Sequence, residues 1–399
     1  MARHLPCQPD LGESDGNRIA FVCDHRYPYT VGGAQRYYGT LTQALASERA
    51  VTYLTRRFWP GERVRVEDGV EVIGLTVARA ESGHRRRLLG PKLLFALAVF
   101  WHLLLHGGRY RVVHCSCFPH AALIAAELAL LAHRRTALIA DWHEVLPRDS
   151  WRRRRGRLGD VAWLAQRLAV NCGRAAITFS SLHERRLREE GRRGSVYRVP
   201  EFPPEPRAPV GGDPPERENL LVFAGRLVDE KRAHLVAPVV AELRRHDPSW
   251  RAVIFGTGPE EARVRASIAE HGLDGAVRLA GYAPWPEVSR AMLAGRALLF
   301  PTLREGFGLV VIEAASHGLP SIVCVEEDNA AVELVEPGRN GEICPVADPS
   351  VQAAAVRALD QHGDIHERTR EWFREASEHF SLSSCMRALR AVHKAVGSS

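Results

Sequence analysis

Residues 200–215 read PEFPPEPRAPVGGDPP, seven prolines and two glycines in one run. Proline supplies no backbone N–H and glycine resists ordering, so this stretch reads as a linker, not a core element. On both sides of it, short apolar runs alternate with helix-length segments, which is the pattern of parallel sheets. Before it the predicted strands are 18–24, 50–55, 70–75, 111–115, 136–141 and 175–180, with helices near 34–47, 91–106, 119–133 and 159–172. After it the pattern restarts with strands at 219–225, 251–256, 276–281, 297–301 and 321–325, and helices near 233–245, 260–271, 285–294 and 308–317. A chain of 399 residues can fill two cores. The fold class is therefore α/β, with two doubly wound, Rossmann-like domains. In such sheets ligands bind beyond the carboxyl ends of the strands, so a cleft between the domains is the expected site. The expected organisation is a disordered lead-in (1–17), an N-terminal domain (18–199), the linker (200–218), a C-terminal domain (219–375) and a last helix (376–399) free to cross back to the first domain. The lead-in is polar and carries no apolar signal region.

Composition narrows the class. An apolar fraction of 45% with 25% charged residues is ordinary for a soluble globular chain. Eight cysteines, mostly in apolar runs and none in a C-x-x-C pair, fit reduced buried thiols and a cytoplasmic setting. The net charge of +7 conceals an asymmetry: residues 1–200 carry 32 Lys/Arg against 18 Asp/Glu, the remainder 22 against 29. Basic clusters at His84–Arg87, Arg152–Arg157 and Glu184–Arg193 suit a solvated surface or an anionic partner. Lys92–His106, KLLFALAVFWHLLLH, is apolar for about 13 residues. A membrane span needs about 20, so a buried helix is expected, with an interfacial helix the alternative.

Chemistry concentrates at the predicted strand ends. Gly32 and Gly33 open a helix after the first strand and permit either close approach to an anion or a plain turn. In GRLVDEKR (225–232), Arg226 and Lys231 could converge on a diphosphate or form a solvated charge cluster. FGTGP (255–259) is a glycine turn that serves a nucleotide or the fold alone. His143 follows a strand in ADWHEVLP (140–147). HCSCFPH (114–120) lacks a usual zinc spacing, and no metal site is expected there. In LREGFGLVVIEAASHGLP (303–320), Glu305 and Glu313 lie eight positions apart in an otherwise apolar stretch. A helix starting near Gly308 would aim its free N–H groups toward Glu305.

The order of these features, with GRL-x-x-EK, GxGP, EGFGLVVIEA and GRNGEICP following one another, resembles the retaining glycosyltransferases of family 4, which have GT-B architecture: two Rossmann-like domains facing across a cleft. The resemblance runs from about Arg18 to the C-terminus and is densest over 219–345. It implies that Arg226 and Lys231 hold the diphosphate of a nucleotide-sugar donor, approached by Gly33. It places Glu305 on hydroxyls of the transferred sugar, backbone N–H groups of Phe307, Gly308, Leu309 and Val310 on phosphate, Glu313 on the ribose, and His143 beside the reacting carbon. Gln35 stands where Glu is common and Arg232 where Gly often follows EK.

The expected reaction is metal-independent, cofactor-free sugar transfer with retention of anomeric configuration. The acceptor nucleophile is a hydroxyl or another group, on a small molecule or a lipid-linked carrier. Nucleic acid is not an expected partner, and association with a membrane surface is compatible with the basic half. Rival readings are a phosphorylase or nucleotide-sugar epimerase of the same architecture, and a non-catalytic protein binding nucleic acid or membrane. Only three lysines occur, Lys92, Lys231 and Lys394, none in a recognisable pyridoxal phosphate motif. The donor base, the sugar and the acceptor are not encoded legibly.

Overall fold

The computed structural model describes residues 18–30, 32–78, 89–203 and 216–397. The lead-in, the His84–Arg87 cluster and residues 204–215 of the proline-rich run lie outside the described residues. The chain forms two compact units: one runs to Thr178 and adds Glu184–Tyr197 and the chain from Met386 onward, and the other comprises Phe179–His183 and Arg198–Cys385.

The N-terminal unit contains β1 (Arg18–Val22), α1 (Gly33–Ala46), β2 (Val51–Arg57), β3 (Val64–Glu67), β4 (Val70–Val77), α2 (Leu89–His106), β5 (Tyr110–Ser116), α3 (His120–Leu130), β6 (Ala137–Trp142), α4 (Arg148–Arg155), α5 (Leu158–Ala169), β7 (Ala175–Thr178), α6 (Ser181–Glu189) and β8 (Ser195–Arg198). Its eight strands are ordered β3-β4-β2-β1-β5-β6-β7-β8. Every residue of β6 is buried, as expected for a strand covered on both faces. Right-handed crossovers explain the coverage: β4→β5→β6→β7 advances in one direction and puts α2, α3 and α5 on one face, while β1→β2 puts α1 on the other. Phe95, Val99 and Leu103 of α2 pack with Leu123 and Ala126 of α3 over Val113.

Three sequence expectations change here. An antiparallel hairpin, β3–β4, turns at Asp68-Gly69 with both φ angles positive, a two-residue turn with an Asp-Gly signal in the sequence. The helix at Lys92–His106 is not simply buried. Residues Gly90–Arg109 are long and apolar enough to cross a membrane, yet only 28% of that stretch is buried. One side packs on the sheet, and Leu94, Leu97, Trp101 and Leu105 are exposed on the other. The beginning of the proline-rich run is core after all: Glu201 and Phe202 are buried, as is Val199 just before it.

The C-terminal unit holds β9 (Leu220–Ala224), α7 (Val236–Arg244), β10 (Arg251–Phe255), α8 (Glu261–Glu270), β11 (Val277–Gly281), α9 (Trp285–Ala294), β12 (Ala297–Phe300), β13 (Arg304–Glu305), α10 (Leu309–Ala315), β14 (Ser321–Cys324), β15 (Asp328–Asn329), β16 (Gly341–Cys344), α11 (Pro349–Ala358) and α12 (Ile365–Ala376). Its parallel sheet is ordered β11-β10-β9-β12-β14-β16. Strand β16, in GRNGEICP, is an element that periodicity alone did not mark. The final helix, α13 (Leu382–Gly397), joins the N-terminal unit through its later turns, where Arg390 pairs with Glu48 and His393 meets His114.

Candidate functional site

In the C-terminal unit the loops after β9, β10 and β12 are built against one another. Leu227 donates its N–H to Thr257 O at 2.9 Å and accepts from Glu260 N–H at 3.0 Å. Gly256 has φ +133°, and a Cβ there would lie 1.8 Å from Gly225 O. A Cβ on Gly258 would lie 2.2 Å from Leu227 O. The glycines of FGTGP therefore allow the neighbouring GRL loop to pass, which gives that motif a structural role. On the other flank Glu230 O accepts from Leu303 N–H at 2.8 Å and Thr302 Oγ1 at 3.0 Å, while its carboxylate receives Arg304 Nη2 at 2.6 Å.

These bonds hold Lys231 where its ammonium pairs with Glu305. Both side chains are largely buried, and the ammonium also lies 5.0 Å from the centre of the Phe300 ring. Arg226 stands at the start of the same loop, exposed and without an ion-pair partner among the described residues. Arg232 adopts φ +49°, the left-handed region in which glycine carries no penalty, and its guanidinium pairs with Glu326. The departure noted in the sequence thus occupies a position whose backbone favours glycine.

Glu305 lies in β13, opposite Asn329 of β15. Next, Gly308 takes φ +110°, and a Cβ there would sit 2.8 Å from the Ala331 Cβ. Helix α10 starts at Leu309, one residue beyond that glycine, and Leu309 and Val310 are partly buried. Phe307 is buried beside Phe380, with ring centres 6.0 Å apart. Glu313 is 8% exposed on α10, flanked by the fully buried Ile312 and Ala314. Lys231 and Glu305 are thus brought into contact, Glu313 is held on the adjoining helix, and Arg226 extends toward solvent. Sequence reasoning missed Glu201, which is buried in this unit. Burial, and then the negative charge of Glu305, push its carboxyl up to about 8. It sat within a run already assigned to a linker.

Gly33 and His143 belong to the N-terminal unit. Gly33 is the exposed first residue of α1, after Gly32 in extended conformation. His143 follows β6 directly, and its Nε2 lies 3.2 Å from the Tyr38 hydroxyl. That hydroxyl donates to Asp141 Oδ2 at 2.9 Å, so it accepts from His143 and the proton belongs on His143 Nε2. Asp141 Oδ1 receives His114 Nδ1–H at 3.0 Å, and His114 Nε2 faces His393 Nε2 at 2.8 Å. Burial lowers the His143 pKa to about 4 and the His393 pKa to about 2, the latter with a contribution from His114. His143 is consequently a neutral imidazole near pH 7, oriented by a buried tyrosine and aspartate. Tyr38, His114 and His393 were not legible as a group because they come from opposite ends of the unit's sequence. Among the described residues no group of three or more His, Cys, Asp or Glu side chains is placed to hold a metal ion.

Comparison with known proteins places this arrangement. Residues 32–202 match the glycosyl transferase 4-like domain, and residues 207–378 match the glycosyl transferases group 1 family. The GtfA subunit of the UDP-N-acetylglucosamine–peptide N-acetylglucosaminyltransferase of Streptococcus gordonii is 27% identical over 158 residues, 40% of this chain and 29% of that protein. The aligned region thus spans about a third of that relative's length. Sucrose-phosphate synthase from Thermosynechococcus elongatus has the same fold, with a TM-score of 0.75 at 18% identity over 96% of this chain and all of that one. HepE of Anabaena, solved in complex with UDP and glucose, gives 0.70 at 16% identity over 95% and 100%. The two family matches together span nearly the whole described chain, and the chain belongs to the group 1 glycosyltransferases, with two Rossmann-like domains of the GT-B type.

Proposed function

We propose that this protein transfers a sugar from a nucleoside diphosphate donor to an acceptor nucleophile, with retention of anomeric configuration and without a metal ion. The observation that carries this reading is the cation set on one loop: Lys231, held by Glu305 at the strand ends, and Arg226, exposed beside it. Departure of a nucleoside diphosphate leaves negative charge on its phosphates, and fixed cations lower that barrier most when they are preorganised. A divalent ion has the same task in other active sites, and Arg226 and Lys231 replace it here.

In this reading Glu305 accepts hydrogen bonds from the transferred sugar and Glu313 from the ribose. The segment Phe307, Gly308, Leu309 and Val310 presents backbone N–H groups to phosphate. Gly33 is assigned to the donor diphosphate, as a residue whose backbone admits close approach of an anion. Retention calls for attack on the face the leaving group vacates, with the departing phosphate helping to take the acceptor proton. His143, neutral and aimed by Tyr38, is assigned to the reacting carbon as a hydrogen-bonding group. The donor is a substrate, and no further cofactor takes part. We assign the protein to the cytoplasm, in keeping with its seven buried free cysteines among the described residues. Its acceptor is a small molecule or a lipid-linked carrier, and the protein is peripheral at the membrane.

The test is hydrolysis of a panel of UDP-, GDP- and ADP-sugars by the purified chain, followed by acceptor screening by mass spectrometry. Release of one nucleoside diphosphate, dependent on Arg226 and Lys231, is expected. Release of sugar 1-phosphate in the presence of inorganic phosphate would instead make it a phosphorylase.

A further inference from the structure

Of the nineteen large apolar side chains left exposed among the described residues, eleven lie on or at the end of three helices, α2, α3 and α5. Among the described residues the C-terminal unit exposes only Tyr282, Val325 and Val346 of this set, each in the loop after a strand. Scattered exposed apolar residues carry no message, but a contiguous set does. These helices lie on one face of the N-terminal sheet, α2 packed on α3 and α3 on α5.

Each helix turns an apolar stripe outward. On α2, Leu94, Leu97, Trp101 and Leu105 recur at helical spacing, between 52% and 68% exposed. Leu128 and Leu131 continue the surface on α3 at 54% and 64%. On α5 it is completed by Val161, Leu164 and Leu168. The opposite side of α2 is committed to the core through Phe95, Val99 and Leu103, none of them exposed at all. Despite its length and composition, α2 therefore cannot leave the sheet to span a bilayer without emptying that core.

Charge marks the edge of this surface. Helix α4, packed against α5, places Arg152, Arg153 and Arg154 in solvent, and exposed Arg157 precedes α5. Asp149 pairs with Arg152, and Asp160 is shared by Arg148 and Arg152. Exposed Arg134 and Arg135 follow α3, and Arg109 follows α2. A second copy seated on this patch in an isologous pair would bring two arginine runs to one interface. Anionic headgroups above an apolar layer complement both the stripe and its rim.

We propose that the outward face of α2, α3 and α5 docks on an anionic lipid bilayer, with the leucines and Trp101 entering the interfacial layer and the arginines of α4, with Arg157 before α5, at the headgroups. The proposal rests on the peripheral membrane assignment above and adds the surface and the lipid charge. The full chain is mixed with phosphatidylcholine vesicles, with or without about one third phosphatidylglycerol, and floated on a density gradient at low and high salt. Binding to the anionic vesicles at least about tenfold above the neutral ones, weakened by salt, is expected. Leu97→Gln combined with Trp101→Gln, and separately Leu164→Gln with Leu168→Gln, lower the bound fraction at least about tenfold with an unchanged melting temperature. Undiminished flotation of both double variants overturns the proposal. So does wild-type protein that stays off anionic vesicles, or that forms a lipid-free dimer which these variants dissociate. Donor hydrolysis in lipid-free buffer, measured on the same variants, separates the two readings. Retained hydrolysis without vesicle binding by wild type rejects the docking surface alone.

Discussion

Replacing Glu201 by Gln isolates one buried carboxyl and reads its electrostatic environment directly. In the folded chain its pKa rises from an ordinary 4.5 to about 8, through burial first and the charge of Glu305 second. Between those values the unfolded chain has lost this proton and the folded chain still holds it. Stability contributed by this group is therefore fully present below pH 4.5 and is lost as pH rises toward 8. The slope is about 1.4 kcal/mol per pH unit, so the whole window amounts to about 4–5 kcal/mol. Glutamine is neutral throughout and lacks this slope. Urea denaturation of wild type and Glu201→Gln near both ends and the middle of the window should therefore give similar stabilities at the acid end and a growing advantage for the variant toward the alkaline end. Taking the difference between the two proteins removes every other titrating group. A difference that stays constant with pH to within about 0.5 kcal/mol would refute a carboxyl held neutral beside Glu305.

Arg226→Ala and Lys231→Ala should each lower turnover by about tenfold or more while shifting the melting temperature little, since a charge-assisted bond to a desolvated phosphate is worth about 1.5–3 kcal/mol. Steady-state assays on both variants check this, and activity within about threefold of wild type for both would remove them from the donor site. Activity should survive EDTA, and complete loss restored by a divalent ion would show that the two cations are insufficient. Arg232→Gly relieves a left-handed backbone worth about 1 kcal/mol and gives up the pair with Glu326, worth about as much, so it should be near neutral. Arg232→Ala keeps the strain and loses the pair, and should cost about 1–2 kcal/mol in chemical denaturation.

What could be read from the sequence was what depends on short range. Apolar runs such as Ala137–Trp142, buried along their full length, identify parallel strands without any partner being known. The glycine at 308 and the helix after it were legible for the same reason: Gly306 and Gly308 favour a turn, and the apolar run that follows has to be covered. Legibility failed where a residue's role depends on distant partners. Tyr38 and Asp141 lie 103 positions apart, and nothing local in either says that they orient His143. The ion pair of Lys231 with Glu305 spans 74 positions. Glu201 was hidden by its neighbours, because the density of prolines around it marked the whole run as a linker. The Asp68-Gly69 hairpin carried a local signal that went unread, and its first strand, β3, was missed.

The central claim is that the Lys231–Glu305 pair and the helix holding Glu313 bind the two ends of one donor, and calorimetric titration of nucleoside diphosphates into two variants tests it most directly. The sugar is absent from this titration, so only the ribose and diphosphate contacts are measured. Glu313→Gln should weaken binding of the preferred nucleoside diphosphate by about 1–2 kcal/mol, the cost of a charge-assisted bond to ribose. Glu305→Gln should leave that affinity nearly unchanged or slightly raised, because neutralising Glu305 leaves the Lys231 charge to the diphosphate, while turnover with the intact donor falls sharply. Loss of nucleotide binding in Glu305→Gln together with its retention in Glu313→Gln would contradict the account.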